Sequence, residues 1–154
     1  MIVAGIDPGK EGGLCVLRSG RPVLTVPLPY AGPFPDMREI LRLIEDEGYP
    51  DLVAVEAQSG RITDGVRSLN CLLPSYGVLV GAFTVLGWPL ALPAPKQWKA
   101  SVLAHTKKDK AAAIHRVLTR YPSVDLRPGR RTKPHDGIAD AVCIAEWGVT
   151  AARP

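Results

Sequence analysis

The chain has 154 residues, 46% hydrophobic and 22% charged, which is typical of one soluble domain, and no stretch approaches the roughly 18 apolar residues of a membrane-spanning helix. Its N-terminus lacks a signal peptide's basic start, and the separated cysteines, Cys15, Cys71 and Cys143, form neither a disulfide framework nor a zinc motif. We therefore expect a single domain over residues 1–154, core thiols and a cytoplasmic location for this protein of net charge +4.

The first half of the chain reads mainly as strands. Residues 2–7 (IVAGID) predict a short buried strand that ends at Pro8-Gly9, and residues 12–29 predict a hairpin with its turn near Ser19-Gly20. The prolines that follow exclude regular structure until an amphipathic helix begins at about Asp36 and stops before Gly48. Residues 51–58 (DLVAVEAQ) predict another buried strand.

The second half reads mainly as helices. Residues 62–87 are mostly helical in pattern, and Pro74 is expected to kink or divide them. A short strand in WPLALPAP, a short helix in KQWKASVL, a basic helix in KKDKAAAIHRVLTRYP and a terminal helix from about Asp136 to Gly148 follow. The order β-β-β-α-β-α-β-α-α-α predicts an α/β fold in which helices flank one mixed five-stranded sheet.

Positive charge is concentrated in one part of the chain. Residues 96–133 contain eleven Lys or Arg residues and two acids, so this segment carries +9 and the remainder carries −5. A charge run by itself is more often a solvated surface than a binding site. A basic segment beside an acidic remainder nevertheless favours a polyanionic partner, with the acids reserved for another purpose.

Two carboxylates end predicted buried strands, Asp7 the first strand and Glu56 the fourth. Functional groups of open α/β sheets gather at the carboxyl ends of the strands, and adjacent strand ends would bring these two acids close together. Asp7 alone, before Pro-Gly, is more commonly a turn former. Glu56 has no such explanation, because it ends an apolar run.

A second acidic pair, Asp136 and Asp140, begins the terminal helix. Like charges four residues apart repel each other, and the positive end of the helix dipole compensates only in part. Asp136 follows Pro134 closely and can be an N-cap as well as a ligand, whereas Asp140 lies too far into the helix to cap it. Clustered carboxylates are neutralised by hard cations, so the sequence predicts a divalent-metal site.

These residues lie in motifs that resemble those of the RuvC-like Holliday-junction resolvases, in their compact bacterial and bacteriophage branch. The motifs GIDPG, VEAQ, PAPKQWK, KKDKAAAI and HDGIADAVCIAEWG occur in the family's order between residue 2 and about residue 148. The resemblance implies an RNase H-like fold and a homodimer. It further implies paired nicking of four-way or branched DNA with Mg²⁺ or Mn²⁺, two ions per site, and no nucleotide cofactor.

The resemblance also assigns roles to individual residues. The metal-binding and catalytic carboxylates are expected at Asp7, Glu56, Asp136 and Asp140. Many relatives carry an acid or histidine three residues before the last Asp, where this chain has Gly137, so Asp136 is the predicted fourth ligand and His135 the alternative. Lys110 is expected near the scissile phosphate, and DNA contacts are expected from Lys107, Lys108, Lys110, Arg130, Arg131 and Lys133.

Other functions compatible with the motifs are a broader branched-DNA or flap endonuclease, a non-catalytic junction-binding protein and an actin-like ATP-binding protein. The four retained acids disfavour the non-catalytic alternative. The actin-like alternative rests on GIDPG alone, and a single small domain leaves no second lobe to close over a nucleotide. The apolar run LNCLLPSYGVLVGAF within residues 62–87 is expected to contribute to a dimer interface.

Overall fold

The structure is a computed structural model that describes residues 1–58 and 66–152, with only the backbone for residues 66–72. The strands of its main sheet are β1 (Ile2–Asp7), β2 (Gly13–Arg18), β3 (Arg21–Pro27), β6 (Leu52–Val55) and β7 (Leu90–Ala91). A small separate hairpin comprises β4 (Tyr30–Ala31) and β5 (Phe34–Pro35). The helices are α1 (Met37–Glu45), α2 (Val66–Val85), α3 (Pro95–Val102), α4 (Lys110–Arg120) and α5 (Asp136–Ala151).

The main sheet is mixed, with the strand order β3-β2-β1-β6-β7. Strands β1, β2 and β3 pair in antiparallel fashion, and the turn between β2 and β3 contains Ser19 and Gly20, both with positive φ angles, as a two-residue hairpin turn requires. Strands β1, β6 and β7 pair in parallel. The predicted five-stranded mixed sheet is thereby confirmed.

Helices cover both faces of the sheet, and the side chains of β1 and β6 alternate between two cores. Ile6 and Val55 belong to the core under α1 and α2, together with Ile40 and Phe83. Ala54 belongs to the other core, beneath α3, α4 and α5. Because side chains alternate along a strand, the residues next after Ile6 and Val55 face the α5 side.

Helix α5 lies directly on strand β1, and small residues allow this close approach. A Cβ atom at Gly5 would overlap the backbone of α5 at Ala141 and Ala145, and one at Gly148 would reach the side chain of Val3. The small and apolar character of the terminal helix follows from this packing, because most of its residues between Gly137 and Gly148 are buried.

Several details differ from the sequence predictions. The proline-rich segment was expected to lack regular structure, but β4 and β5 pair there around a turn at Gly32, whose φ of 63° suits its position. Strand β6 ends at Val55 rather than at residue 58. Helix α2 continues through Pro74, so the chain is not divided there, and α5 extends to Ala151 instead of ending at Gly148.

The predictions about cysteines and membrane segments can be checked in part. Cys15 and Cys143 are buried free thiols, as expected for core residues, whereas the side chain of Cys71 lies outside the described residues. Burial raises the pKa of both described thiols. Of the helices that the structure describes, none combines the length and apolar character needed to cross a membrane.

Candidate active site

Parallel pairing brings two of the predicted site residues together at the carboxyl ends of neighbouring strands. Ile6 pairs with Val55, so Asp7 and Glu56 occupy the next position on each strand. Alternation directs both carboxylates to the face covered by α5, and the amide of Glu56 donates to the carbonyl oxygen of Ile6 at 3.0 Å. The expectation that these acids follow adjacent strands is therefore confirmed.

The acids of α5 belong to the same cluster. Burial, together with the negative charges of Glu56, Asp140 and Asp136, raises the pKa of Asp7 to about 7, against the lowering effect of a hydrogen bond from Gly9. Burial likewise raises the pKa of Asp140 to about 6, with added repulsion from Glu56 and Asp136. The four predicted carboxylates therefore interact electrostatically at one site.

The turn after β1 fixes Asp7 locally. Its Oδ1 accepts a hydrogen bond of 3.0 Å from the amide of Gly9. The hydroxyl of Tyr30 donates to the carbonyl oxygens of Pro8 and Gly9, at 3.2 and 3.1 Å. The small hairpin formed by β4 and β5 therefore supports the turn that carries Asp7, a contact that no local pattern around Tyr30 predicts.

Glu56 has two donors that the sequence analysis did not assign to the site. Its Oε1 accepts a hydrogen bond of 2.8 Å from the indole Nε1 of Trp98, and its Oε2 accepts one of 2.9 Å from the side-chain Nε2 of Gln58. Trp98 is fully buried, but its N–H is directed at the acidic cluster.

Two lysines neutralise part of the acidic charge. Lys110 is the first residue of α4, whose N-cap is Asp109, and its ammonium group forms an ion pair with Asp136. Burial opposes ionisation of Asp136, but the hydrogen bond and charge of Lys110 outweigh it and hold the pKa of Asp136 below its usual value. Lys99, which the sequence analysis left unassigned, lowers the pKa of Asp140 and so opposes the effect of burial there.

His135, and not Asp136, is the N-cap of α5. The Nδ1 atom of His135 accepts a hydrogen bond of 3.3 Å from the amide of Ile138, and Asp136 is the first helical residue. The N-cap interpretation of Asp136 is therefore wrong. Burial and the charge of Arg131 lower the pKa of His135, which favours the neutral imidazole that this bond requires.

The capping role of His135 gives a direct test of the alternative ligand assignment. We expect His135→Ala to lower the free energy of unfolding by about 1 kcal/mol, because the amide of Ile138 loses its acceptor, and His135→Asn to restore most of it. Both quantities follow from urea unfolding monitored by circular dichroism. DNA cleavage should persist in His135→Asn; lost cleavage in a normally stable His135→Asn protein would instead favour His135 as a ligand.

Gly137 has a structural reason to lack a side chain. Residues Gly12 and Gly137 form a parallel backbone bridge between the turn after β1 and the start of α5. A Cβ atom at position 137 would overlap the carbonyl oxygen of Glu11, and one at Gly13 would overlap the backbone of Gly137. No acid or histidine can occupy this position without moving α5 away from Asp7.

The donor set fits a hard divalent cation. Carboxylate oxygens are the ligands that Mg²⁺ and Mn²⁺ prefer. Burial, with repulsion among the acids, raises the pKa values of Asp7 and Asp140, and a bound cation would offset this cost of ionisation. Within residues 1–58 and the described part of 66–152, no three acidic, histidine or cysteine side chains already surround a common point. Asp136 is paired with Lys110, so ion binding by Asp136 would require its side chain to rearrange.

The predicted DNA-binding residues are exposed at the surface, and Lys110 among them pairs with Asp136 of the acidic cluster. Lys107 and Lys108 are exposed just before α4, and the side chain of Lys110 is 74% exposed. Arg130 and Lys133 are exposed in the loop before α5. In the same loop, Arg131 forms an ion pair of 2.9 Å with Glu11, which ties this loop to the turn after Asp7.

Comparison with solved structures identifies the fold. Thermus thermophilus RuvC in complex with a Holliday junction substrate aligns with a TM-score of 0.66 at 22% identity, over 99% of this chain and 96% of that chain. A second structure of T. thermophilus RuvC aligns with a TM-score of 0.60 at 26% identity and the same coverage. The chain has the RuvC fold. The RuvC resemblance that the sequence motifs predicted is confirmed.

The RuvC fold extends to a eukaryotic protein as well. The yeast mitochondrial Holliday junction resolvase Ydc2 aligns with a TM-score of 0.58 at 17% identity, over 94% of this chain and 75% of that chain. No family model and no curated protein sequence matches the chain. The RuvC relationship is therefore visible mainly in the three-dimensional structure and in a few ordered motifs.

Proposed function

We propose that this protein is a crossover junction endodeoxyribonuclease, a phosphodiester hydrolase that resolves four-way DNA junctions. The observation that carries the proposal is the cluster of interacting acids in a RuvC fold, in which Asp7 and Glu56 lie at the ends of adjoining strands and Asp140 lies on α5. The basic surface beside this cluster suits the phosphates of DNA. The proposed setting is the cytoplasm of a bacterial or phage-infected cell.

The proposed chemistry is hydrolysis of one phosphodiester bond to give 5′-phosphate and 3′-hydroxyl ends. Asp7, Glu56 and Asp140, with Asp136 as the fourth ligand, would hold two Mg²⁺ or Mn²⁺ ions. Such a pair supplies an activated water and stabilises the leaving oxygen. Lys110, which forms an ion pair with Asp136, would contact the phosphate beside the reacting bond.

The decisive experiment compares labelled four-way, flap and linear DNA, with and without Mg²⁺. We expect symmetric paired nicks in the four-way substrate, and only when Mg²⁺ is present. Equal cleavage of flaps would favour a broader branched-DNA endonuclease of the same fold. Tight junction binding without cleavage under any metal condition would favour a non-catalytic junction-binding protein.

The basic residues before and at the start of α4 are expected to contact phosphates. Neutralising Lys107, Lys108 and Lys110 together should weaken junction binding without altering sequence preference, because phosphate contacts carry no base information. Each true contact removed should reduce the slope of log K against log salt concentration by about 0.9. Arg38→Ala is the control, since Arg38 is exposed on α1, across the sheet. An unchanged slope in the triple variant would show that these lysines do not contact DNA phosphates.

We further propose a homodimer, because paired nicks across one junction require two sites related by a twofold axis. The described part of α2 and the residue that follows it expose apolar side chains: Leu73, Val85 and Leu86 are 41, 88 and 46% exposed. The earlier part of the predicted interface, at Leu69–Leu72, lies outside the described side chains. We expect a dimer in analytical ultracentrifugation at micromolar concentration. A monomer both with and without junction DNA would contradict this proposal.

A further inference from the structure

Trp98 is a core residue whose only polar atom is directed at the candidate active site. Its side chain is 0% exposed, and its indole Nε1 donates a hydrogen bond of 2.8 Å to Oε1 of Glu56, 42 residues earlier in the chain. A buried indole N–H needs an acceptor, but a backbone carbonyl oxygen would serve that purpose. The acceptor here is one of the clustered acids.

We propose that Trp98 is a positioning residue that fixes the Glu56 carboxylate for binding a divalent cation. This inference rests on the proposed metal-dependent function. Each carboxylate oxygen can accept more than one bond, so the single bond from Trp98 leaves Oε1 able to bind a cation. Groups that orient the ligands of a metal site in this way commonly control metal affinity.

The packing of Trp98 explains why it can act as a rigid support. Its ring lies in the core formed with α5, and the ammonium group of Lys99 stands 5.0 Å from the ring centre. Helix α3 carries the backbone of Trp98. It begins at Pro95, a residue whose fixed φ angle suits the first position of a helix. Gln58, the second donor to Glu56, is only partly buried and close in sequence, so it is the less constrained partner.

Binding of Mn²⁺ to the DNA-free protein, measured by electron paramagnetic resonance of the free ion, tests the proposal without relying on cleavage. We expect Trp98→Phe to weaken Mn²⁺ binding by about 10–100-fold, the usual effect of removing a group that orients a ligand. Trp88→Phe is the matched control: Trp88 is also buried, stacks on Phe83 at 5.6 Å, and lies in the core on the opposite face of the sheet. It should leave Mn²⁺ affinity unchanged.

Two further variants separate positioning from packing. Replacing Trp98 with benzothienylalanine keeps the shape of the ring and removes only the N–H, so the same loss of affinity is expected in a protein of unchanged circular dichroism. In a Glu56→Gln background, Trp98→Phe should have no additional effect, because its effect passes through Glu56.

These experiments distinguish failure of the proposed role of Trp98 from failure of the proposed nuclease function. Unchanged Mn²⁺ affinity in the benzothienylalanine protein, with a wild type that binds Mn²⁺ and cuts junctions, would overturn the role of Trp98 alone. An additive loss in the Glu56→Gln background would also overturn it. A wild-type protein that neither binds Mn²⁺ nor cuts junctions would overturn both proposals.

Discussion

Replacing Asp7 with Asn should abolish junction cleavage, to the level measured without Mg²⁺, while junction binding stays equal or becomes tighter. Asn keeps an acceptor for the amide of Gly9 but removes the charge at the centre of the acidic cluster. Binding should survive because the basic surface is unchanged and one repulsive charge near the DNA phosphates is gone. Gel-shift binding in Ca²⁺ and single-turnover cleavage in Mg²⁺ measure the two effects separately.

The same loss of cleavage is expected for Glu56→Gln and Asp140→Asn, and a severe reduction for Asp136→Asn. Glu45→Gln provides the control, because Glu45 is an exposed carboxylate on α1, across the sheet from the cluster. Near wild-type cleavage in both Asp7→Asn and Glu56→Gln would refute the assignment of this site. Lost binding together with lost cleavage would point to misfolding, which circular dichroism of each variant would reveal.

The stability of the metal-free protein should fall as the pH rises from about 4 to about 8. Asp7 has a pKa of about 7 in the folded chain, against an ordinary 3.8, and the pKa of Asp140 is about 6. The folded state therefore binds more protons than the unfolded state across this range, and stabilisation by the neutral acids is lost as they ionise. The cause is burial first, with repulsion among the acids added to it.

Asp7→Asn should remove most of this pH dependence. At pH 8 we expect the variant to exceed the wild type in unfolding free energy by about 1–3 kcal/mol, since one pKa unit corresponds to about 1.4 kcal/mol and the coupled acids share the effect. At pH 4 the two proteins should be nearly equal, because Asp7 is then neutral in the folded wild type. Urea unfolding at both pH values, with chelator present, gives the comparison. An equal difference in unfolding free energy at both pH values would show that the pKa of Asp7 is not raised in the folded protein.

The basic segment illustrates a prediction that the sequence could make only in outline. The concentration of Lys and Arg between residues 96 and 133 indicated a polyanion surface, but in the structure Arg116 and Arg120 of this segment pair with Glu146, away from the start of α5. Charge counting could not show that Lys110 and Arg131 pair with Asp136 and Glu11. Which Lys or Arg side chains pair with an acid and which remain free to contact a polyanion depends on how the helices and loops pack.

The strand-end acids were predictable because the governing rules are local. Alternation and apolar runs mark β1 and β6, the carboxyl ends of neighbouring parallel strands share one edge, and so the positions of Asp7 and Glu56 follow from the sequence. The acidic pair of α5 has a similar origin, since residues four apart share a helix face. These short-range regularities determined the fold class and the centre of the candidate site.

The remaining features of the site arise from contacts between segments distant in sequence. Trp98 contacts Glu56, which is 42 residues away in the sequence, and Lys110 contacts Asp136, which is 26 residues away. No local sequence pattern predicts either contact. The backbone bridge between Gly12 and Gly137 excludes a side chain at position 137. Which acids end the strands and begin α5 follows from local sequence patterns. What surrounds those acids follows from the close packing of α5 on the turn after β1, because that space depends on how whole elements fit together.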